Sequence, residues 1–301
     1  MSQFLRDLLV LTKWRITAMA LFTGYAAIAV HGEHTTDWPF IGPCLIALFL
    51  VGGCANTLNQ IFERDKDAVM NRTKSRRPLP AGRISVRAAY IFAIGQGVIA
   101  LAVLGLFYAS WLAAALGLFT IVYYSFFYTL FLKPRHYLNI VIGGVPGSMG
   151  PLIAWAAMTN EIAAIPLAMF ALIFLWTPPH VWALAIKLKD DYARAGIPML
   201  PVVKGVDETT RQIFIYTVVM VAATLALPLC LPLVAPAFTA FSPIYTAIAL
   251  VLGAVFLVWT AILWKRRPVI QTMPLFRFTI LYIGALFLGL MLDHMLLAEA
   301  T

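Results

Sequence analysis

Two carboxylates and two amides stand at helical spacing where an apolar segment gives way to a polar one. Asn56, Asn59, Glu63 and Asp67 are separated by three, four and four residues. On a helix this spacing places the four side chains on one face. Carboxylate and amide oxygens suit Mg²⁺, which usually binds through one or two carboxylates together with substrate phosphates. The stripe therefore predicts a magnesium site.

The location of the stripe supports this prediction. It lies at the C-terminal end of the apolar segment 39–62, where the partial negative charge of the helix end repels carboxylates. An Asp in the middle of a membrane helix costs about 2.5–3.5 kcal/mol, and less near the helix ends. A positive partner is needed to offset these terms, and a divalent cation would supply it.

Four basic residues follow the stripe: Arg72, Lys74, Arg76 and Arg77. Arg binds phosphate through a bidentate fork, and Lys binds it as a point charge. The alternative is that these residues only anchor the chain at the cytoplasmic membrane surface. Acids and cations in one loop favour a metal–phosphate complex, but the spacing leaves both interpretations open.

The chain as a whole is too apolar for a soluble domain. Its 301 residues are 62% hydrophobic and 12% charged, whereas soluble domains contain about 25% charged residues. Helices of about 20 apolar residues cross a bilayer, so the fold class is an all-α integral membrane protein. The nine predicted membrane spans are Ile16–Val30, Pro39–Phe62, Ala88–Leu106, Trp111–Leu132, Leu138–Met158, Ala163–Ile186, Ile213–Val234, Ser242–Trp264 and Phe278–Leu297.

The distribution of Lys and Arg gives the orientation. With the N-terminus cytoplasmic and nine alternating spans, all 22 Lys and Arg fall on the cytoplasmic side. This predicts a multi-pass protein of the cell inner membrane, with its polar loops in the cytoplasm and its C-terminus on the opposite side. The net charge of +9 is then a topology signal, and no nucleic-acid partner is expected.

A second polar segment follows the sixth predicted span. Asp190 and Asp191 follow the end of the sixth span. The acidic stripe stands in the same way at the end of the second span, four helices earlier. This indicates one domain over residues 1–301, made of four-helix pseudo-repeats at approximately 1–137 and 138–277 plus a ninth helix. Same-side repeats place a shared site between the halves. We expect the two acidic helix ends to face each other across one diphosphate.

These motifs resemble those of the UbiA superfamily of intramembrane prenyltransferases, and nearly the whole chain shares the resemblance. Its first motif corresponds to Asn59, Glu63 and Asp67 with Arg-Thr and Arg-Pro downstream. Glu63 replaces the usual Asp, and Lys187 replaces the first acid of the second motif. Within the superfamily, the chain resembles the branch that farnesylates protohaem. The segments that show this resemblance are "YTLFLKP" (128–134), "NIVIGGVPGSMGPLIAW" (139–155), Pro179-His180 and "DDYARAGIPMLPVV" (190–203).

The resemblance implies Mg²⁺-dependent transfer of a farnesyl group from farnesyl diphosphate to a vinyl group of haem b, with addition of water. It implies Mg²⁺ ligands at Asn59, Glu63, Asp67, Asp190 and Asp191, with Asn56 beside them. Diphosphate would bind Arg72, Lys74, Arg76 or Arg77, Lys133 and Lys187. The farnesyl pocket would be lined by Tyr123, Tyr124, Phe127 and Tyr128. Haem would bind near His180, Arg135 and His136.

Two alternatives stay open at this stage. One is an aromatic polyprenyltransferase of quinone synthesis acting on 4-hydroxybenzoate, which would share the fold and the metal site. The other is a transporter or haem-handling protein without chemistry, because repeats and buried polar groups also occur in transporters. His180 has a structural alternative too, a hydrogen bond to the backbone freed by Pro178 and Pro179. A haem A synthase or an oxidase assembly factor is a plausible protein partner.

Overall fold

The computed structural model describes residues 2–234, 243–266 and 269–298, and its regular elements are all helical within those ranges. The helices are α1 Gln3–Leu11, α2 Trp14–His31, α3 Trp38–Phe62, α4 Arg64–Val69, α5 Val86–Ala102, α6 Trp111–Val122, α7 Asn139–Ile142, α8 Gly150–Thr159, α9 Ala164–Lys187, α10 Lys189–Arg194, α11 Leu200–Val203, α12 Gly205–Val234, α13 Pro243–Arg266 and α14 Thr272–Ala298. Helices α5 and α6 continue as π-helical turns, Val103–Phe107 and Tyr123–Leu132.

Eight helices in the described part of the chain are long and apolar enough to cross a membrane. They correspond to the second through ninth predicted spans. The first predicted span, 16–30, lies within α2, which carries Arg15 and is not among the eight. The count of nine is therefore not confirmed. Ser242, the predicted start of the eighth span, lies outside the described residues.

Two hydrophobic cores form the bundle. One is built mainly from the first helices and includes Leu11, Ile41 and Ile153. The other is built mainly from the later helices and includes Trp182 and Phe256. Helix α8 contributes to both cores, so it joins the two parts of the molecule. The proposed division into repeats near residue 137 stays a prediction.

The contact between α2 and α8 is very close. A Cβ atom added at Gly150 would lie 2.8 Å from the carbonyl oxygen of Ala20. Only glycine allows this approach of two backbones, as is common between membrane helices. The short distance fixes how the two cores meet.

The N-terminal helix α1 is fastened to the end of α3 by side-chain amides. Gln60 Nε2 donates to the carbonyl oxygens of Val10 and Leu11, at 2.9 Å each. Asn56 Nδ2 donates to the carbonyl oxygen of Thr12 at 3.2 Å. These carbonyls lie at the C-terminal end of α1, where the regular helical hydrogen bonds run out. Their capping holds α1 beside the polar end of α3.

Candidate active site

A buried cluster of opposite charges lies where α3 ends. Lys133 Nζ is 2.5 Å from Glu63 Oε1. Arg77 forms an ion pair with Asp67, and its Nη1 is 3.8 Å from Glu63 Oε2. All four side chains are largely buried. Such charges are tolerated only when paired, so the cluster is a strongly coupled unit.

The backbone changes at Glu63 without losing its hydrogen bonds. Glu63 ends α3 with φ −94° and ψ 4°. Its N–H still donates to the Asn59 carbonyl at 3.0 Å, and the Asp67 N–H donates to the Glu63 carbonyl at 2.8 Å. The three side chains Asn59, Glu63 and Asp67 are all buried. The polar stripe therefore crosses the junction from α3 to α4 intact.

Lys13 belongs to this cluster, although sequence reasoning used it only as a topology signal. It has left-handed backbone angles, φ 50° and ψ 46°, between α1 and α2. Its Nζ donates to Asn59 Oδ1 at 2.8 Å and lies 3.4 Å from the Tyr124 hydroxyl. The turn between the two helices thus delivers a third cation to the acidic stripe.

The electrostatics of the cluster follow from burial and close charges. Burial, reinforced by repulsion from Arg77, holds the pKa of Lys13 well below its usual value. Burial alone would raise the pKa of Glu63, but the field of Lys133 and Lys13 outweighs it and lowers that pKa. Burial raises the pKa of Asp67 despite the opposing field of Arg77. Three cations therefore lie close together at the site, and an anionic ligand would reduce the repulsion between them.

Asp191 links the second polar segment to the first. Its carboxylate accepts from the backbone N–H of Asn71 at 3.2 Å and of Arg72 at 3.1 Å. It also pairs with Arg194. Burial alone would raise the pKa of Asp191, but these hydrogen bonds outweigh it and lower that pKa. The second polar segment therefore contacts the basic loop that follows the acidic stripe, whereas Asp190 is exposed.

Within the described residues, no three side chains of the His, Cys, Asp and Glu types are arranged to hold a metal ion. Glu63 and Asp67 instead contact Lys133 and Arg77. The donor set of two carboxylates and the Asn59 amide oxygen still has the chemistry that Mg²⁺ prefers. Because three cations surround it, this set fits a metal that arrives with a polyanion better than a metal alone.

The π-helical segment places two tyrosines beneath the charged cluster. The rings of Tyr124 and Tyr128 stack with centroids 5.3 Å apart. Lys13 Nζ lies 5.7 Å from the Tyr124 centroid, and Lys133 Nζ lies 5.8 Å from that of Tyr128. π-Helical turns are often found at functional sites. This one presents aromatic faces that can stabilise positive charge.

The other two aromatic residues predicted for the farnesyl pocket point elsewhere. Phe127 is 40% exposed. Tyr123 stacks at an angle on Phe127 and donates its hydroxyl to the Ile142 carbonyl at 3.0 Å. Both therefore lie on the outer side of the π-helical segment. The structure brings only Tyr124 and Tyr128 to the charged cluster.

The remaining predicted phosphate and metal residues are dispersed. Lys74, Arg76 and Lys187 are exposed. Arg72 Nε is buried, with no hydrogen-bond partner among the described residues. The amide of Asn56 is engaged by Thr12 and lies 3.4 Å from Thr17 Oγ1. Of the two arginines before Pro78, only Arg77 reaches the acids.

The predicted haem residues form no single cluster. His180 lies between the rings of Trp176 and Phe276, with centroids 4.1 and 4.3 Å away. Its Nδ1 is 2.7 Å from Thr279 Oγ1 on α14. Arg135 donates to the carbonyls of Leu130 and Phe131, so it caps the π-helical segment.

Such a bundle, with a buried cation–carboxylate cluster above stacked aromatic rings, defines an intramembrane enzyme for a charged lipid-like substrate. Comparison with known sequences makes this specific. Residues 20–292 match the model of the UbiA prenyltransferase family, and the chain belongs to that family. It is therefore a multi-pass membrane protein and a prenyltransferase.

Two similar curated proteins carry the same name. The protoheme IX farnesyltransferase of Synechocystis sp. is 41% identical over 298 residues, covering 96% of this chain and 90% of the relative. The protein of the same name from Stutzerimonas stutzeri is 39% identical over 294 residues, covering 98% and 95%. The resemblance seen in the sequence motifs is confirmed.

Solved structures share the fold. A structure of digeranylgeranylglyceryl phosphate synthase has a TM-score of 0.77 at 17% identity, covering 97% of this chain and 99% of that one. A UbiA homolog from Archaeoglobus fulgidus, solved bound to DMAPP and Mg²⁺, has a TM-score of 0.64 at 18% identity, covering 94% and 99%. The all-α membrane fold class is confirmed.

Proposed function

We propose that the chain transfers the farnesyl group of farnesyl diphosphate to a vinyl group of haem b, with addition of water, to give haem O and diphosphate. The named relatives support this acceptor. The observation that carries the reaction type is the buried cluster of Lys13, Arg77, Lys133, Glu63 and Asp67 above the paired tyrosines.

The charge of the cluster suits one metal–diphosphate unit. Its three cations and two carboxylates leave one positive charge when all are ionised. A prenyl diphosphate trianion with one Mg²⁺ carries one negative charge. Bound together they are neutral, which matters because an unbalanced charge is costly in a buried site. An anionic ligand would also favour the ammonium form of Lys13.

Asn59, Glu63 and Asp67 would hold the Mg²⁺, with Asp190 and Asp191 as further candidates from the second half. Bound there, the metal would neutralise developing charge on the leaving group. Asp191 already fastens the loop that carries Arg72. We assign Asn56 to capping Thr12 and not to the metal.

Lys13, Arg77 and Lys133 would stabilise the diphosphate as the carbon–oxygen bond breaks and negative charge moves onto it. Arg72, whose buried Nε has no partner among the described residues, is a fourth candidate. We assign Lys74, Arg76 and Lys187 to the exposed surface. The phosphate site is thus drawn from three chain segments.

Ionisation leaves an allylic farnesyl cation, which must be shielded from water. The faces of Tyr124 and Tyr128 would stabilise it. A haem vinyl group then forms the new carbon–carbon bond. Water adds to the resulting haem-side cation and releases a proton, which gives a hydroxyethylfarnesyl substituent. The scheme requires no nucleophilic side chain.

His180 is suited to face haem iron through its second ring nitrogen. The Thr279 hydroxyl donates to the Phe276 carbonyl at 2.7 Å, so it accepts from His180 Nδ1–H. That hydrogen bond fixes the tautomer with a lone pair on Nε2, the form that ligates metals. Arg135 and His136 would lie near the haem propionates.

We propose that the protein lies in the cell inner membrane, with its N-terminus and site loops cytoplasmic and its C-terminus opposite, an orientation that the Lys and Arg distribution supports. A haem A synthase or an oxidase assembly factor would receive a product too apolar to diffuse freely in water.

Incubating the membrane-embedded protein with farnesyl diphosphate, Mg²⁺ and either haem b or 4-hydroxybenzoate tests the acceptor. Haem O should form, and EDTA should abolish it. Asp67→Ala should abolish product, because Asp67 is both buried and paired with Arg77. Prenylation of 4-hydroxybenzoate alone would establish the quinone-pathway alternative. Unchanged turnover in Asp67→Ala would overturn the role of the acidic cluster.

A further inference from the structure

A cavity of about 580 Å³ is lined in part by the loop that follows Lys133 of the charged cluster. It lies between the loop that follows Lys133 and the segment α11–α12, and Tyr137, Leu138, Leu200, Lys204 and Tyr216 line it. Its size falls within the range of 300–1,000 Å³ that is usual for cofactor-sized ligands. None of these residues belongs to the diphosphate site.

We infer that this cavity receives the prenyl acceptor, with the acceptor's carboxylates against Lys204 beside Tyr137 and its flat ring system against Tyr216. The inference rests on the proposed function, which supplies haem b as the acceptor. It adds where haem enters and which residue recognises its two propionates.

The walls suit a flat, mostly apolar ligand. Tyr137 stacks on His136, with centroids 4.9 Å apart and planes 16° apart. Tyr216 packs edge-on against Trp182 at 5.4 Å and 85°. Each lining tyrosine is thus held by a second aromatic ring. Rigid aromatic walls bind flat ligands with little loss of side-chain entropy.

Charge complementarity indicates carboxylates at one end of the ligand. Lys204 Nζ lies 5.3 Å from the Tyr137 ring centroid, at the edge of the cavity. His136 Nδ1 accepts the Leu138 N–H at 3.1 Å, which leaves the proton on Nε2 as a donor. The two groups flank Tyr137 and match a pair of anionic substituents.

The acid that lines the same cavity is already engaged. Glu208 accepts from Gln212 Nε2 at 2.7 Å and lies 3.5 Å from Arg211 Nε. Its charge is therefore partly offset and opposes an incoming carboxylate less than a free acid would. Lys204 sets the preference for anions.

The cavity is close to the reacting groups along both chain segments. Tyr137 follows Lys133 by four residues, a reach of at most about 14 Å. Leu200 follows Asp191, which accepts from the backbone N–H of Asn71 in the first polar loop at 3.2 Å. An acceptor here would therefore lie within reach of the chain segments that carry Lys133 and Asp191.

The test compares haem b with its dimethyl ester, in which both propionates are uncharged. Lys204→Ala should raise KM for haem b about tenfold, as expected for a partly exposed charged contact. KM for farnesyl diphosphate should stay unchanged. Lys204→Arg should restore most of the loss. The matched control is Lys265→Ala, an exposed lysine at the end of α13.

The ester separates recognition from structural damage. With haem b dimethyl ester, the wild-type protein and Lys204→Ala should have equal KM values, because no carboxylate remains to be recognised. An equal rise in KM for both acceptors, or no rise for haem b, would overturn the inference while haem O formation by the wild type upholds the proposed function. Absence of product from the wild type with either acceptor would refute the proposed function itself.

Discussion

Replacing Arg77 tests whether the basic loop binds diphosphate or only anchors the chain at the membrane surface. Arg77 pairs with Asp67 and approaches Glu63 to 3.8 Å, and its side chain is 14% exposed. Arg76, the preceding residue, is exposed. The two arginines have the same chemistry and differ by one position, so Arg76→Ala is a matched control for Arg77→Ala.

The expected magnitudes differ sharply. Removing one partner of a buried ion pair costs about 3–5 kcal/mol of stability, because the other charge stays buried. Removing one preorganised donor to a developing anion lowers kcat about 10²–10³-fold. Arg77→Ala should show both effects. Arg76→Ala should stay within about 0.5 kcal/mol and show turnover close to wild type.

The assay is haem O formation in detergent with saturating Mg²⁺, together with thermal unfolding of each variant. Arg77→Lys keeps the charge but loses the planar fork, so its turnover should fall between wild type and alanine. Because Arg77 lowers the pKa of Asp67 against burial, the acid limb of the pH profile should move to higher pH in Arg77→Ala. Equal losses in Arg76→Ala and Arg77→Ala would refute this assignment.

Three other substitutions test separate parts of the site. Lys13→Met should lower kcat about 10²-fold by haem O assay, because it removes a buried cation from the leaving group; a turnover equal to wild type would exclude Lys13. Tyr128→Leu should shift product toward farnesol, detected by chromatography, because the cation loses an aromatic face; an unchanged product ratio would contradict this. Asp7 accepts two hydrogen bonds of 3.0 Å from Arg83. Burial alone would raise the pKa of Asp7, but these bonds and the one from Gln3 lower that pKa below 3.8. Its stabilisation is therefore complete above pH 3.8 and is lost as pH falls through the lower folded value. Asp7→Asn should reduce the free energy of unfolding by about 1–2 kcal/mol at neutral pH and remove this loss of stability in acid. Melting curves of Asp7→Asn that still show the same acid dependence would contradict the role of the Asp7–Arg83 pair.

The acidic stripe and the cationic loop could be found from sequence because charge is scarce in this chain. Glu63 and Asp67 stand out after an uncharged helix, and the four basic residues after them stand out for the same reason. Hydropathy alone located eight of the spans. The sequence pattern was sufficient for features that follow directly from the cost of placing charges in a bilayer.

Sequence analysis did not assign Lys13 to the site, because its position before a membrane span already explained it. A lysine before a membrane span reads as an orientation signal. What brings it to Asn59 is a left-handed residue between two helices and the capping of α1 by Gln60. These contacts join residues about 50 positions apart, and helical periodicity carries no information about them.

The structure brings only part of the predicted aromatic set to the charged cluster. Regular α-helical spacing gives no ground to separate Tyr123 from Tyr124. A spacing of four pairs Tyr124 with Tyr128 and Tyr123 with Phe127, but it does not say which pair faces the cluster. In the structure Tyr124 and Tyr128 face it, and Phe127 faces outward. The sequence also left Arg76 and Arg77 undecided, and the structure brings Arg77 to Asp67 and Glu63.

Arg77 and Lys133 have two possible sets of partners, and this shapes how ligands bind. In the structure they pair with Asp67 and Glu63, the carboxylates that would hold Mg²⁺ in the proposed reaction. A metal ion alone would have to push these cations away from their acids while Lys13 stands close by. A diphosphate offers the cations new anionic partners and frees the acids at the same time. Each ligand thus removes the obstacle to the other, and linkage requires this coupling to be equal in both directions. The same exchange leaves little net charge to be buried, so a site built from opposite charges can remain stable in a membrane both before and after it is filled.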